Sequence, residues 1–230
     1  MAVDLVSTSL GGHIEMKAQI LAHRGAWTSV SEKNCLEAFE RAFAAGFGVE
    51  TDIRDLDNVL VVSHDPPRSG LALPVDKLFA LYRRMNATGR LALNIKADGL
   101  ALALNALLKD YAIETAFVFD MSVPDMRSYF NSRARVFCRL SDAETHPAFY
   151  NKCAGVWLDS FEIPHSPSEW GHKALADGKS IALVSPELHT RPHLEAWSEW
   201  RTRLNPAQND NVMICTDFPA EALSFFQEDR

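Results

Sequence analysis

Short apolar runs with strand character alternate with amphipathic helical stretches along nearly the whole chain. The runs are QILAH (19–23), VETDI (49–53), LALNIK (91–96), AFVFD (116–120), RVFCRL (135–140), GVWLD (155–159), IALVS (181–185) and VMICT (212–216). Helical spacing fills most of the gaps. In NCLEAFERAFAAG, Leu36, Phe39, Ala42 and Phe43 fall on one face, and Gly46 suits the stop. VDKLFALYRRM, SVPDMRSYF, SPSEWGHKAL, RPHLEAWSEWRTRL and PAEALSFFQ are the other helix candidates. The Ser-Pro openings of two of them match a cap and a first helical turn. The pattern predicts eight βα units.

One run breaks the alternation. NVLVVSH (58–64) follows VETDI too closely for a crossover helix, so it must turn back as a hairpin partner. Setting it aside leaves eight parallel strands and predicts an α/β fold: a single closed (β/α)₈ barrel, a TIM barrel, over residues 1–230 with an extra hairpin strand after the second strand. A doubly wound open sheet would need a glycine-rich first βα turn, and none is found. Neither a repeat nor a low-complexity linker marks a domain boundary. The length of 230 residues suits one barrel, and 47% hydrophobic content supplies its core.

The net charge of −7 gives no polybasic surface for nucleic acid or anionic lipid. Cys35, Cys138, Cys153 and Cys215 lie far apart without metal-type spacing, and Cys138 and Cys215 sit in apolar runs. A reduced, cytoplasmic chain is expected, since the N-terminus lacks the basic-then-apolar pattern of a signal peptide. No apolar stretch has the length of a membrane span. Oligomeric state is not legible.

In such a barrel, functional side chains gather at the C-terminal strand ends. The polar residues there are His23, Arg24, Glu50, Asp52, Asn94, Lys96, Asp120, Arg139, Asp159, Glu187 and Asp217. Asp120 and Asp159 read first as helix caps, with Arg139 as a partner for one of them. Glu50 and Asp52 are two apart on a strand and share its inward face. Two inward carboxylates repel unless a cation lies between them, so the pair predicts a site for Mg²⁺ or Ca²⁺. An ion pair with Arg24 or Arg54 is the alternative. Asp57 stands midway between Glu50 and His64, so a reversal there returns His64 to the mouth opposite Glu50. Two histidines, His23 and His64, can then divide acid and base work. Arg24 and Lys96 add the fixed positive charge that a phosphate-like group needs in its transition state.

These residues resemble a known family. AHRG, EKNCLEAFERAFAAGFGVETDIRD, VVSHD and NIK are similar to the motifs of the glycerophosphodiester phosphodiesterases, relatives of the phosphatidylinositol phosphodiesterase-like TIM barrels. The family pattern is HRG, a PEN-type helix start, an E-x-D strand, HD and E-x-K. The resemblance implies a phosphoric diester hydrolase acting on a small or lipid-derived phosphodiester. His23 and His64 would be the acid/base pair, Arg24 would hold the phosphate and Lys96 would stabilise its oxygens. Glu50, Asp52 and Asn94 would bind the divalent metal, Mg²⁺ or Ca²⁺. A neighbouring substrate hydroxyl would attack phosphorus, and water would open the cyclic phosphate.

Two departures stand out. Asn94 replaces the third metal carboxylate, so weaker metal binding is expected, or a carboxylate from elsewhere, with Asp159 and Glu187 as candidates. The PEN element reads SEKNC, which leaves the place of Asn34 open. Asn94 also motivates a second reading, a catalytically weakened binding or regulatory protein on the same barrel. A barrel enzyme of other chemistry would need a Schiff-base lysine, for which Lys96 is the candidate, or a richer metal shell. Arg139, Glu187 and Asp217 are the remaining substrate-contact candidates. His189 and Arg191 read equally as solvated loop polarity. Trp27 and Trp157 read as pocket lining or as packing.

Overall fold

The computed structural model describes residues 18–68, 72–162 and 168–227. Its parallel strands are β1 (Gln19–His23), β2 (Gly48–Leu56), β5 (Leu91–Ile95), β6 (Ala116–Phe119), β7 (Arg135–Leu140), β8 (Gly155–Leu158), β9 (Ser180–Val184) and β10 (Val212–Thr216). They pair in chain order, and β1 pairs with both β2 and β10, which closes an eight-stranded barrel. Helices α1 (Leu36–Ala44), α2 (Val75–Arg84), α3 (Ala101–Asp110), α4 (Val123–Tyr129), α5 (Ser168–Ala176), α6 (Leu194–Arg203) and α7 (Pro219–Gln227) form the outer layer.

The hairpin partner is β3 (Val59–Val62), antiparallel to the outer end of β2. Asp57 and Asn58 both take left-handed backbone, the conformation a tight two-residue hairpin turn requires. The reversal is therefore centred between them rather than on Asp57. Ser63 comes opposite Asp52, so His64 projects to the level of Thr51 and not of Glu50. A short strand β4 (Leu73–Pro74), absent from the sequence reading, pairs with β3.

Two helices depart from expectation. α3 carries apolar residues around much of its circumference, so its sequence shows little amphipathic contrast. Between β7 and β8 the described residues hold only a 3₁₀ turn, Tyr150–Lys152, and Pro147 interrupts that connection. There are thus eight parallel strands but seven α-helices among the described residues. Elsewhere local signals work as written. Ser122 caps α4 by accepting from Asp125 N–H, while Gly46, in left-handed backbone, lies two residues past the end of α1. The cap residues expected for α5, 166 and 167, lie outside the described residues.

Strand alternation divides the apolar side chains into two cores. Ile20, Val49, Ile53, Leu93 and Val118 point outward under the helices. Leu21, Ala92, Phe117, Phe119, Phe137, Trp157, Met213 and Cys215 fill the barrel interior. Phe117 stacks on Phe137 with centroids 4.0 Å apart, and Phe119 on Trp157 at 3.8 Å. Trp157 is therefore core. Gly155 has no side chain where the Phe137 ring lies, since a Cβ there would come within 2.3 Å of it. Removing one stacked ring should leave a cavity that the rigid barrel cannot collapse. Phe117→Ala is expected to cost about 3–5 kcal/mol of unfolding free energy, measured by urea denaturation.

Candidate active site

The inward rows of the barrel turn from apolar to polar at their C-terminal ends. Leu21 is followed two residues on by His23, Ala92 by Asn94, Phe137 by Arg139, Trp157 by Asp159, and Cys215 by Asp217. β2 contributes both Glu50 and Asp52, which are buried. Register places Glu50 beside His23 and Asp52 beside Asn94. Six of the eight strands thus bring predicted residues to one mouth.

The turn after β1 sets the first of them. Arg24 and Gly25 both take left-handed backbone, and a Cβ on Gly25 would sit 2.8 Å from Ala38. This tight turn keeps His23 in the barrel and lays Arg24 over β2, where its N–H donates to the Glu50 carbonyl. His23 Nδ1 lies 2.6 Å from Asp217 Oδ1, and its Nε2 faces Glu50 at 3.8 Å. Lys33 Nζ reaches the other Asp217 oxygen at 3.2 Å while resting over the Trp27 ring.

Asp52 is the electrostatic centre. Arg24 Nε ion-pairs with it at 3.1 Å, Lys96 Nζ at 3.4 Å, and Asn34 donates to it at 3.0 Å. The expected alternative of an Arg24 ion pair is therefore present. Asn34 also accepts from Thr51, so it bridges both faces of β2. Its left-handed backbone lets its N–H reach the Arg24 carbonyl. Lys33 and Asn34 are site residues that the sequence reading did not assign. The SEKNC match to the PEN element was the signal for Asn34; Lys33 carries none, because its role depends on the path of a loop.

His64 stands half exposed on the wall of a cavity of about 570 Å³, lined also by Arg24, Lys33, Asn34 and Asp65. Its Nδ1 bonds Asp65 at 2.8 Å. The other candidates surround this centre. Arg139 is held between Asp120 and Glu144, each at 3.1 Å. Asp120 is thus an ion-pair partner and not a cap. Asp159 accepts from Ser160 N–H and contacts His189 Nε2 at 2.7 Å. The Arg191 guanidinium holds the Ser160 carbonyl, so both loop residues are structural anchors. Glu187 is turned inward and accepts from the Ser185 and Thr216 hydroxyls and the Asp217 N–H. Glu187 therefore fixes the end of β10, and Asp217 orients His23.

Burial sets the protonation states. It pulls the His23 pKa below the ordinary value, more than the Asp217 carboxylate restores, which favours the neutral imidazole. Burial works to raise Asp217, but His23 and Lys33 outweigh it and hold that carboxyl below its usual range. Burial, with the Asp52 charge added, pushes the Glu50 carboxyl up to about 8 against the pull of Arg24 and Lys96.

Three inward oxygens are buried without a hydrogen-bond partner: Glu50 Oε2, Asp52 Oδ1 and Asn94 Oδ1. They are the atoms expected as metal ligands, and hard oxygen donors suit Mg²⁺ or Ca²⁺. Among the described residues no group of three His, Cys, Asp or Glu is arranged to hold a metal. Among the described residues neither Asp159 nor Glu187 groups with Glu50 and Asp52.

No family model matches the chain, and no curated protein matches it in sequence. Solved structures do match in shape. A candidate glycerophosphodiester phosphodiesterase from Galdieria sulphuraria superposes with a TM-score of 0.74 at 16% identity, covering 94% of this chain and 100% of that one. The fold is that of the glycerophosphodiester phosphodiesterase barrels. An Oleispira antarctica phosphodiesterase in complex with the product sn-glycerol-3-phosphate gives 0.61 at 14% identity, covering 92% and 98%. A Ca²⁺-dependent phosphatidylinositol-specific phospholipase C from Streptomyces antibioticus gives 0.57 at 11%, covering 93% and 97%.

The state of Glu50 has a measurable consequence. Its folded-state pKa of about 8 lies above the ordinary 4.5, so the folded protein holds a proton that the unfolded chain releases between these values. In chelator-treated protein this contribution to stability is complete below about pH 4.5 and lost as pH rises through 8. Denaturation midpoints from pH 5 to 8 should fall in the parent and fall less in Glu50→Gln.

Proposed function

We propose that the protein is a divalent-metal-assisted phosphodiesterase acting on glycerophosphodiester-like small diesters by His/His acid–base catalysis. One observation carries this reading: a carboxylate-oriented imidazole faces Glu50, one of three inward residues whose buried oxygens lack a hydrogen-bond partner, with Arg24 and Lys96 ion-paired to the second, Asp52. The fold likeness to phosphodiesterases supports it, one neighbour holding a glycerol phosphate product and another being Ca²⁺-dependent. Glu50, Asp52 and Asn94 would hold the ion. When bound, it would withdraw charge from the phosphoryl oxygens and relieve the repulsion between the two carboxylates.

The protein side chains account for the proton transfers. Asp217 accepts from His23 Nδ1, which leaves Nε2 unprotonated and directed into the mouth. His23 takes the proton from a substrate hydroxyl next to the phosphodiester as that oxygen bonds to phosphorus. The bond from phosphorus to the leaving alkoxide breaks, and His64 gives the alkoxide a proton. In the second half His64 takes a proton from water, the hydroxide opens the cyclic phosphate, and His23 returns its proton to the ring oxygen. Arg24 and Lys96 balance the negative charge that builds on the non-bridging oxygens.

The test is hydrolysis of a diester panel by pure protein, including glycerophosphocholine and bis(p-nitrophenyl) phosphate, with Mg²⁺, Ca²⁺ or chelator. His23→Ala should lower kcat about 10²–10⁴-fold, and Asp217→Asn should lower kcat while leaving KM nearly unchanged. A panel without turnover that His23→Ala removes would overturn the reading. Asn94 favours the second reading, a binding protein, because a neutral ligand weakens the ion's hold. Calorimetry separates the two, since an intact fold that binds neither ion supports the binding protein. If the oxygens do form the ion site, Asn94→Asp should tighten divalent affinity by about tenfold, since ligand charge sets affinity in such sites.

A further inference from the structure

Large apolar side chains that remain exposed are informative when they cluster. Among the described residues there are seven, ranging from Phe161 at 38% exposure to Leu102 at 86%. All seven stand at the mouth end of the barrel. Val30 is in the connection after β1, and Val59 follows the tip of the β2–β3 hairpin. Leu102, Val123 and Leu194 lie in the first turns of α3, α4 and α6. Phe161 follows β8 and Phe218 follows β10. Among the described residues, seven of the eight strand-to-helix connections thus carry one each, and the opposite end of the barrel carries none.

The helix geometry makes this directional. A helical Cα–Cβ bond tilts toward the helix N-terminus, so Leu102, Val123 and Leu194 lean out past the mouth. First turns ordinarily favour polar or acidic residues over apolar ones. The pattern also has the wrong layout for a protein partner. Protein interfaces have an apolar centre and a polar rim, whereas here charged side chains fill the centre and apolar ones the periphery. A lipid surface fits that layout, with apolar side chains entering the headgroup and acyl boundary around a polar headgroup. Charge selects the kind of lipid. The chain carries −7 overall, and Glu32, Asp57, Asp125, Glu162 and Glu195 lie within two residues of the apolar positions. An acidic rim repels anionic lipid and tolerates the ammonium of a zwitterionic headgroup.

We propose that the mouth face docks on zwitterionic lipid surfaces and that the diester is drawn from such a surface. The second half rests on the phosphodiesterase reading; the docking does not. Vesicle sedimentation tests the docking without catalysis. The parent should bind phosphatidylcholine vesicles and bind less as phosphatidylglycerol is added. Leu102→Gln combined with Leu194→Gln keeps the charge and the helices and should lower the partition coefficient about tenfold, with hydrolysis of a water-soluble diester unchanged. The docking is overturned if the parent ignores phosphatidylcholine vesicles, if the double variant binds as well, or if light scattering shows a dimer in the parent that the variant dissolves. Vesicle binding that the variant weakens, without hydrolysis of any diester, leaves the docking standing and removes the catalytic reading.

Discussion

A closed eight-stranded ring has one narrow interior, and every second residue of every strand must go into it. That constraint organises the whole protein. Below the mouth the interior is filled by stacked rings and small apolar residues. At the upper end the same rows meet water, and polar groups replace the apolar ones without any change of backbone. The site is thus the place where the core ends. His23, Asn94, Arg139, Asp159 and Asp217 each stand two residues beyond an interior apolar side chain.

Placing charges at the lip of a core carries a cost in solvation that the neighbours must offset. Asp52 is served by Arg24, Lys96 and Asn34, and Asp217 by His23 and Lys33. Glu50 receives less, and its raised pKa records the shortfall. The most weakly compensated carboxylate therefore sits beside two other buried oxygens without a hydrogen-bond partner, of which only that of Asp52 has an ion pair, to Lys96. Stability alone is not served by that arrangement. A barrel optimised for folding alone would not keep three such oxygens together.

The fold was largely legible because barrel strands announce themselves through apolar runs at regular spacing. The polar residues at the mouth were legible for the same reason, since strand ends can be counted. What was hidden depended on loop paths and register. Lys33 reaches Asp217 across 184 residues of sequence, which no local pattern encodes. Asp217 and Glu187 were visible as mouth residues, but their inward-facing partnerships were not. The hairpin shifted by one residue because Asp57 and Asn58 share the turn, a matter of backbone geometry rather than hydrophobic pattern. α3 escaped because a helix with apolar residues on its outer side has no contrast to detect, and the same outward Leu102 belongs to the apolar rim.

The strand that closes the barrel comes from the far end of the chain. β1 pairs with β10 across almost two hundred residues, and His23 meets Asp217 at that seam. Such a contact comes at a large loop-closure entropy, so topologies of this kind assemble slowly. During synthesis β1 would wait with one unpaired edge until the last strand emerges. The orientation of the His23 imidazole would then be among the last features to form. A partly made chain would carry Glu50, Asp52 and Asn94 without the oriented imidazole.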